Sequence, residues 1–245
     1  MNRRWIVLAA IAVVGLAAAW FLFLRSDNPD PVSLDDAVAA ATGSTLAPEQ
    51  TETLPEATAT TLAAEEPVNL DGTWTVLSDE NSFAGYRVGE ELASIGVTQA
   101  VGRTSGVTGS LDLVGSTLTA VSIEVDMTSL RSDDNRRDGA MSRQALETGA
   151  FPTAGFVLTT PVDLGRVPEV GVPIAVTAGG DLTLHGVTAA VEIPLEAQLV
   201  GDQIVVVGSV DIVYGEFGIE LPSAPILVGV DDHGLIELQL TFVRG

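Results

Sequence analysis

The chain has 245 residues with 33 acidic against 11 basic side chains and a formal charge of −22; every basic residue is Arg and there is no Lys. Such a charge repels phosphate backbones and argues against nucleic acid as a partner. The absence of Cys removes disulfides, thiolate metal sites and thiol catalysis together, so stability must come from a buried core.

The first predicted element is a transmembrane anchor over residues 1–25. Trp5 to Leu24 is an unbroken, uncharged apolar run set between Arg3/Arg4 and Arg25. A helix of that length, at ~1.5 Å per residue, spans ~30 Å, the hydrocarbon thickness of a bilayer. Two Arg precede the run, and Asp27, Asp30, Asp35 and Asp36 come after it. The positive-inside bias then predicts a single-pass protein with a cytoplasmic N-terminus and an extracytoplasmic remainder. A cleaved signal peptide competes, because Ala17-Ala18-Ala19 offers small residues for cleavage. Cleavage there leaves the greasy Trp20–Leu24 as a new N-terminus, and signal h-regions are only ~7–15 residues, so the anchor is favoured.

Residues 26–67 are rich in Ala, Thr, Pro, Glu and Ser and have no aromatic side chain. Such a segment buries too little apolar area to offset its ordering entropy, which predicts a disordered linker. A short helix over Asp35–Thr42 is compatible with the sequence. As a random coil of about forty residues the linker places the C-terminal domain roughly 35 Å from the anchor.

Residues 68–245 fit one domain dominated by period-2 alternation. Val121, Ile123, Val125 and Met127 alternate with Ser122, Glu124 and Asp126, the pattern of a strand with one dry face. The same holds for Val191–Leu199 and Ile236–Phe242. Further strands are expected at Gly72–Leu77, Ser82–Leu92, Val97–Val107, Ser110–Leu113, Thr153–Asp163, Ile174–Leu184, Gln203–Val213 and Pro225–Val230. Turns are expected at Gly115-Ser116, Gly179-Gly180, Gly201-Asp202 and Asp232-His233-Gly234. So many short strands predict an all-β antiparallel sandwich or barrel, with one short helical interruption near Ser142–Thr148. Long strands with one apolar face favour closure, which removes sheet edges. An eight-stranded barrel is just wide enough to be filled by side chains or to hold one small ligand.

Five blocks occur in order: Asp71-Gly72-Thr73-Trp74 with Ser82–Val88; Gly102-Arg103-Thr104; Val125–Leu130 running into Asp133–Asp138; Phe151–Phe156; and Gly180–Thr188. In this order they resemble the YceI-like family of lipid- and polyisoprenoid-binding proteins. Val88-Gly89-Glu90 and Gly139-Ala140-Met141 stand where many members carry a His. The resemblance implies an extended antiparallel, lipocalin-like barrel of an exported bacterial protein, with an apolar lumen that holds a long isoprenoid or fatty chain. An alkyl chain gains ~0.8 kcal/mol per buried CH₂, so such a lumen needs almost no polar motif.

The candidate lumen residues are Phe83, Tyr86, Val121, Ile123, Val125, Phe156, Leu158, Leu182 and Leu184, which any filled core would also show. Arg136, Arg137 and Arg143 are head-group candidates, since guanidinium binds anionic oxygens bidentately. Against this, Asp133, Asp134 and Asp138 are placed to pair with them and to start a helix. His185 and His233 form a metal or acid–base site only if the fold unites them; a hydrogen bond that ties the turn is the favoured role of His185. No Gly-x-Ser-x-Gly elbow occurs, which speaks against an esterase. The sequence therefore predicts a non-catalytic, membrane-anchored barrel that binds or carries an isoprenoid or other long-chain lipid, with no cofactor or metal implied. The alternative is a structural or interaction domain of the cell envelope whose barrel is filled by its own side chains. Association into a homodimer is left open.

Overall fold

The computed structural model describes residues 28–43, 69–93, 96–223 and 225–245. The apolar run 5–24 and the stretch 44–67 lie outside the described residues, and among the described residues no helix is long and apolar enough to cross a membrane.

The described residues form thirteen strands, in chain order β1 (Gly72–Val76), β2 (Phe83–Leu92), β3 (Gly96–Thr104), β4 (Val107–Val114), β5 (Thr117–Asp126), β6 (Arg131–Ser132), β7 (Thr153–Leu158), β8 (Val162–Asp163), β9 (Ile174–Leu184), β10 (Val187–Val200), β11 (Gln203–Val213), β12 (Leu227–Val230) and β13 (His233–Arg244). Every pairing between these strands is antiparallel, and β1-β4-β5-β7-β9-β10-β11-β13 closes on itself through β13 and β1. The molecule is thus an eight-stranded antiparallel barrel, as the alternation requires once edges are removed.

One strand serves two neighbours on the same side. Leu235–Gln239 of β13 pair with β2, whereas Phe242–Arg244 pair with β1. The sheet β2-β3-β6 therefore continues the wall at one end only, which we call the upper end. The bond between Thr104 Oγ1 and Ser129 Oγ, 2.6 Å, ties β3 to the turn after β5. The lower end is floored by a buried cluster that includes Leu70, Trp74, Leu113, Leu118 and Phe242, with Trp74 Nε1 donating to the Leu70 carbonyl at 3.0 Å.

The helical insertion lies earlier than the expected Ser142–Thr148. Helix α2 (Asn135–Ala140) runs into a π-helical turn, Met141–Ala145. Asp134 caps it by accepting from Arg136 N at 2.6 Å, the N-cap role that short acidic side chains fill well. The Gly179-Gly180 pair lies inside β9 and makes no turn. Its reason is steric: a Cβ on Gly180 would sit 2.4 Å from both the Phe156 ring and the Val157 carbonyl oxygen.

Residues 28–43 also depart from the linker reading. They form a strap on the outer wall, ending in helix α1 (Leu34–Thr42), capped by Ser33 and closed by Gly43 at φ +66°. Leu34 and Ala37 are buried against Val205 and Val207, the outward side chains of β11. Ahead of the helix, the Pro29 carbonyl accepts from Arg87 and the Asp30 carbonyl from Arg103, both at 2.8 Å. Those two arginines share Glu237, only 1 % exposed, at 3.0 and 3.6 Å. The strap thus shields an ion cluster that water would otherwise screen.

Candidate functional site

Alternate positions of the strands point inward, and the space they enclose is not filled. A cavity of about 650 Å³ runs along the barrel, walled by apolar side chains such as Val121, Ile123, Val125, Phe156, Leu182 and Ile193. Burial carries its imprint. Val121, Ile123 and Val125 are only half-buried although they face inward, because part of each borders the open lumen instead of another side chain. A filled interior, the alternative the sequence allowed, is not what the barrel has.

The cavity opens at the upper end. Among the described residues, its exposed lining is Arg136, Glu220, Leu221, Pro225 and Ile226, all beside α2 or in the loop between β11 and β12. Polar groups gather just inside this mouth. Arg137 donates to Glu90 at 2.6 Å and also to Asp133, so its charge is matched within the protein. Burial alone would lower the Arg137 pKa, but Glu90 and Asp133 outweigh it and raise the value. Arg136 faces the opening with no ion pair to a described residue.

Two tyrosines complete this ring. Tyr86 and Tyr214 line the cavity, and neither hydroxyl hydrogen-bonds to a described residue. Burial pushes both hydroxyls well above their ordinary range, the nearby Asp138 and Glu90 adding to it for Tyr86 and Asp211 and Asp231 for Tyr214. Glycines make room for both. A Cβ at Gly102 would lie 2.4 Å from Tyr86 Cε1, and one at Gly234 would lie 2.1 Å from the Tyr214 hydroxyl oxygen.

Seven of the lumen candidates, Tyr86, Val121, Ile123, Val125, Phe156, Leu182 and Leu184, line the cavity. Phe83 does not. It lies on the outer face, where the Arg103 guanidinium stacks 4.3 Å from its ring centroid. Leu158 packs against the lower core instead of the open lumen. Of the head-group candidates, Arg136 and Arg137 are at the mouth, whereas Arg143 lies off the cavity beside Gly139. Asp138 is taken up locally, accepting from Ser132 N at 2.8 Å and Ser132 Oγ at 2.7 Å.

The two histidines stay apart. His185 Nδ1 lies 3.2 Å from the Phe217 carbonyl and Nε2 lies 3.0 Å from Glu147, which joins the β9–β10 turn to the segments on either side of it. His233 pairs with Asp232 at the surface. Among the described residues no cluster of three or more His, Asp or Glu side chains is placed to hold a metal ion. Tyr214, Glu90, Met141 and Ile212 were not among the candidates; Ile212 lies on an expected strand, Glu90 shares the parity of Tyr86, and Glu90 and Met141 stand in the two segments where many family members carry a His.

Chemically, an apolar tube with hydroxyls and a neutralised guanidinium at one end has the shape and polarity for a long apolar solute with a polar terminus. Among solved structures, the fold is shared with a polyisoprenoid binding domain from Saccharophagus degradans implicated in plant cell wall breakdown. That likeness has 18 % identity, covers 71 % of this chain and 99 % of that one, and has a TM-score of 0.57. It is also shared with BcnA of Burkholderia cenocepacia, at 15 % identity over 65 % of this chain and 94 % of that one, TM-score 0.50. No curated protein sequence matches significantly. The sequence model of the YceI-like domain matches residues 51–242, most of the chain, and the protein accordingly belongs to the YceI-like domain family.

Proposed function

We propose that the barrel binds or carries a long-chain amphiphile, an isoprenoid or fatty lipid, with its tail in the lumen and its polar end at the upper mouth. The open apolar cavity carries this reading. Its volume, about 650 Å³, is roughly twenty times the ~30 Å³ share of one water in the liquid, which suits a tail of about twenty carbon-sized groups. At ~0.8 kcal/mol per buried CH₂, such a tail supplies ample affinity without specific contacts. The similarity in fold to a polyisoprenoid binding domain supports the same class of ligand.

The mouth favours an uncharged oxygen at the polar terminus. Arg137 is already matched by Glu90 and Asp133, while the Tyr86 and Tyr214 hydroxyls are free to donate to a hydroxyl or carbonyl. Of the two described arginines at the mouth, Arg136 remains to meet an anionic group. In this reading no group in the lumen performs chemistry, and the protein is a carrier tethered outside the membrane by residues 5–24. Lipid extraction from the purified full chain, followed by mass spectrometry, tests it. A stoichiometric long-chain lipid is expected, and a protein that yields none and takes up no added prenyl alcohol overturns it.

A further inference from the structure

We propose that the strap Asn28–Gly43 turns the barrel so that its mouth faces the bilayer holding residues 5–24, with Val97, Leu221, Ile226 and Val228 seated against neutral lipid. This rests on reading residues 5–24 as a membrane anchor, and it replaces a free tether with a fixed orientation.

The strap begins on the side of the mouth. Asn28 Nδ2 donates to the Gln99 carbonyl, three residues from Gly96 at the upper end of β3, or ~10 Å along the strand. The next residues run away from that end, since the Asp30 carbonyl meets Arg103 near the lower end of β3. The strap therefore starts nearer the mouth and runs away from it.

Reach is short. Leu24 and Asn28 are four residues apart and can be separated by at most ~14 Å. Gln99 faces Gly89 of β2, two residues beyond the Arg87 that pairs with Leu235 of β13. From Leu235 to Arg244 at the opposite end is nine residues, ~30 Å. The apolar run can meet the mouth rim but not the closed end.

The rim itself is apolar. Val97 is 86 % exposed, Val228 61 % and Ile226 54 %, with Leu221 also exposed. Strand β12 pairs with the end of β2 that also carries β3, so Val97 and Val228 flank one strand end. Ile226 and Leu221 border the cavity. An apolar rim continuous with an apolar lumen lets a lipid tail pass between bilayer and barrel without crossing water. Glu91, Glu220, Asp231 and Asp232 stand beside this rim and would repel anionic lipid, so a zwitterionic surface is its fitting partner.

Fixity comes from the buried cluster. Arg87, Arg103 and Glu237 are locked under the Pro29 and Asp30 carbonyls, and α1 is packed on Val205 and Val207. Lengthening the tether enough to bring the closed end to the bilayer would require lifting the strap and wetting both.

The chain has no Cys, so any introduced thiol is unique. The full chain is reconstituted in phosphatidylcholine vesicles as Val97→Cys, Val228→Cys, Val114→Cys and Val170→Cys, each carrying a fluorophore, with nitroxide-bearing lipid as the quencher. Severalfold stronger quenching is expected at 97 and 228 than at 114 and 170, which lie toward the closed end. Equal quenching at all four sites, or stronger quenching at 114 and 170, overturns the orientation. Flotation separates the failures: a chain that does not float with vesicles refutes the anchor and the orientation with it, whereas one that floats without the asymmetry refutes the orientation alone. A Gly/Ser insertion between Asp27 and Asn28 leaves strap and barrel intact and is expected to abolish the asymmetry; asymmetry that survives the insertion shows that the strap does not set it.

Discussion

The Tyr86 ring lies against Gly102, close enough that a Cβ there would come within 2.4 Å of Cε1 and 3.0 Å of the hydroxyl oxygen. The two residues face each other across β2 and β3. Gly102→Ala must therefore push Tyr86 further into the lumen. Overpacking of this kind destabilises by about 1–3 kcal/mol, and the displaced ring also narrows the mouth. Denaturant melts and prenyl-alcohol uptake check both effects; unchanged uptake contradicts the placement of Tyr86 at the entrance.

Filling the lumen separates stability from binding. Ile123 borders open space, so Ile123→Phe has room to point inward and is expected to change stability by less than about 1.5 kcal/mol. Lipid capacity should fall severalfold. Phe83→Leu, on the outer face, should leave capacity unchanged while losing the Arg103 stacking, worth about 0.5–1 kcal/mol. Equal loss of binding in both variants would contradict the assignment of faces.

Period-2 reading has its limits in those same residues. Phe83 and Tyr86 are an odd number of positions apart on one strand, so they cannot share a face, yet both are aromatic and attractive as lining. Parity was visible in the sequence; which parity faces in was fixed only by pairing with Leu238 and Ile236 of β13. The barrel class and the inward sets on β5, β10 and β13 were legible because each strand alternates over many residues. The open lumen was not, since Val, Ile and Leu pointing inward serve equally to fill a core or line a void, and barrel radius depends on strand number and tilt. Helix α1 was visible as a short helix over Asp35–Thr42, but its docking was not: it offers only two buried residues, Leu34 and Ala37, and Ile204–Val207 is an unbroken apolar run whose outward members, Val205 and Val207, name no partner. The Gly179-Gly180 pair misled for a different reason: glycine at a close approach of a ring looks in sequence like glycine in a turn.

Removing the shared carboxylate should be severe. Glu237→Ala leaves Arg87, 5 % exposed, with its charge uncompensated beside Arg103, and breaking a buried pair in this way costs about 3–5 kcal/mol. Glu237→Gln keeps an acceptor for Arg87 and is expected to lose less. Denaturant midpoints of the three proteins check the order, and an alanine variant as stable as the parent would contradict the buried cluster.

The strap contributes through packing as well. Leu34→Ala is expected to destabilise by about 2–3 kcal/mol, because it uncovers Val205 and Val207 at once. Proteolysis read by mass should show cleavage within residues 28–43 before the barrel is cut. Simultaneous loss of strap and barrel would mean that the two do not come apart separately.

Alkaline pH reports on the mouth. Burial raises the hydroxyl pKa of Tyr86 and Tyr214 above the ordinary value of 10.0. Above about pH 10 the unfolded chain releases these protons while the folded chain keeps them, so the unfolded state binds fewer and stability falls as pH rises. Below that pH both states are protonated and the contribution is constant. Melts across this range should show a steeper fall for the parent than for a Tyr86→Phe/Tyr214→Phe variant; parallel curves would contradict the burial of both hydroxyls.

If the barrel's own interior takes the lipid tail, blocking that interior must abolish binding. Native mass spectrometry of the full chain with a long-chain prenyl alcohol, run beside Ile123→Trp, addresses this without an intermediary. One bound alcohol per barrel is expected for the parent and none for the variant, both remaining folded. A parent that stays lipid-free, or a variant that binds as well as the parent, would place any ligand outside the lumen and contradict the carrier role.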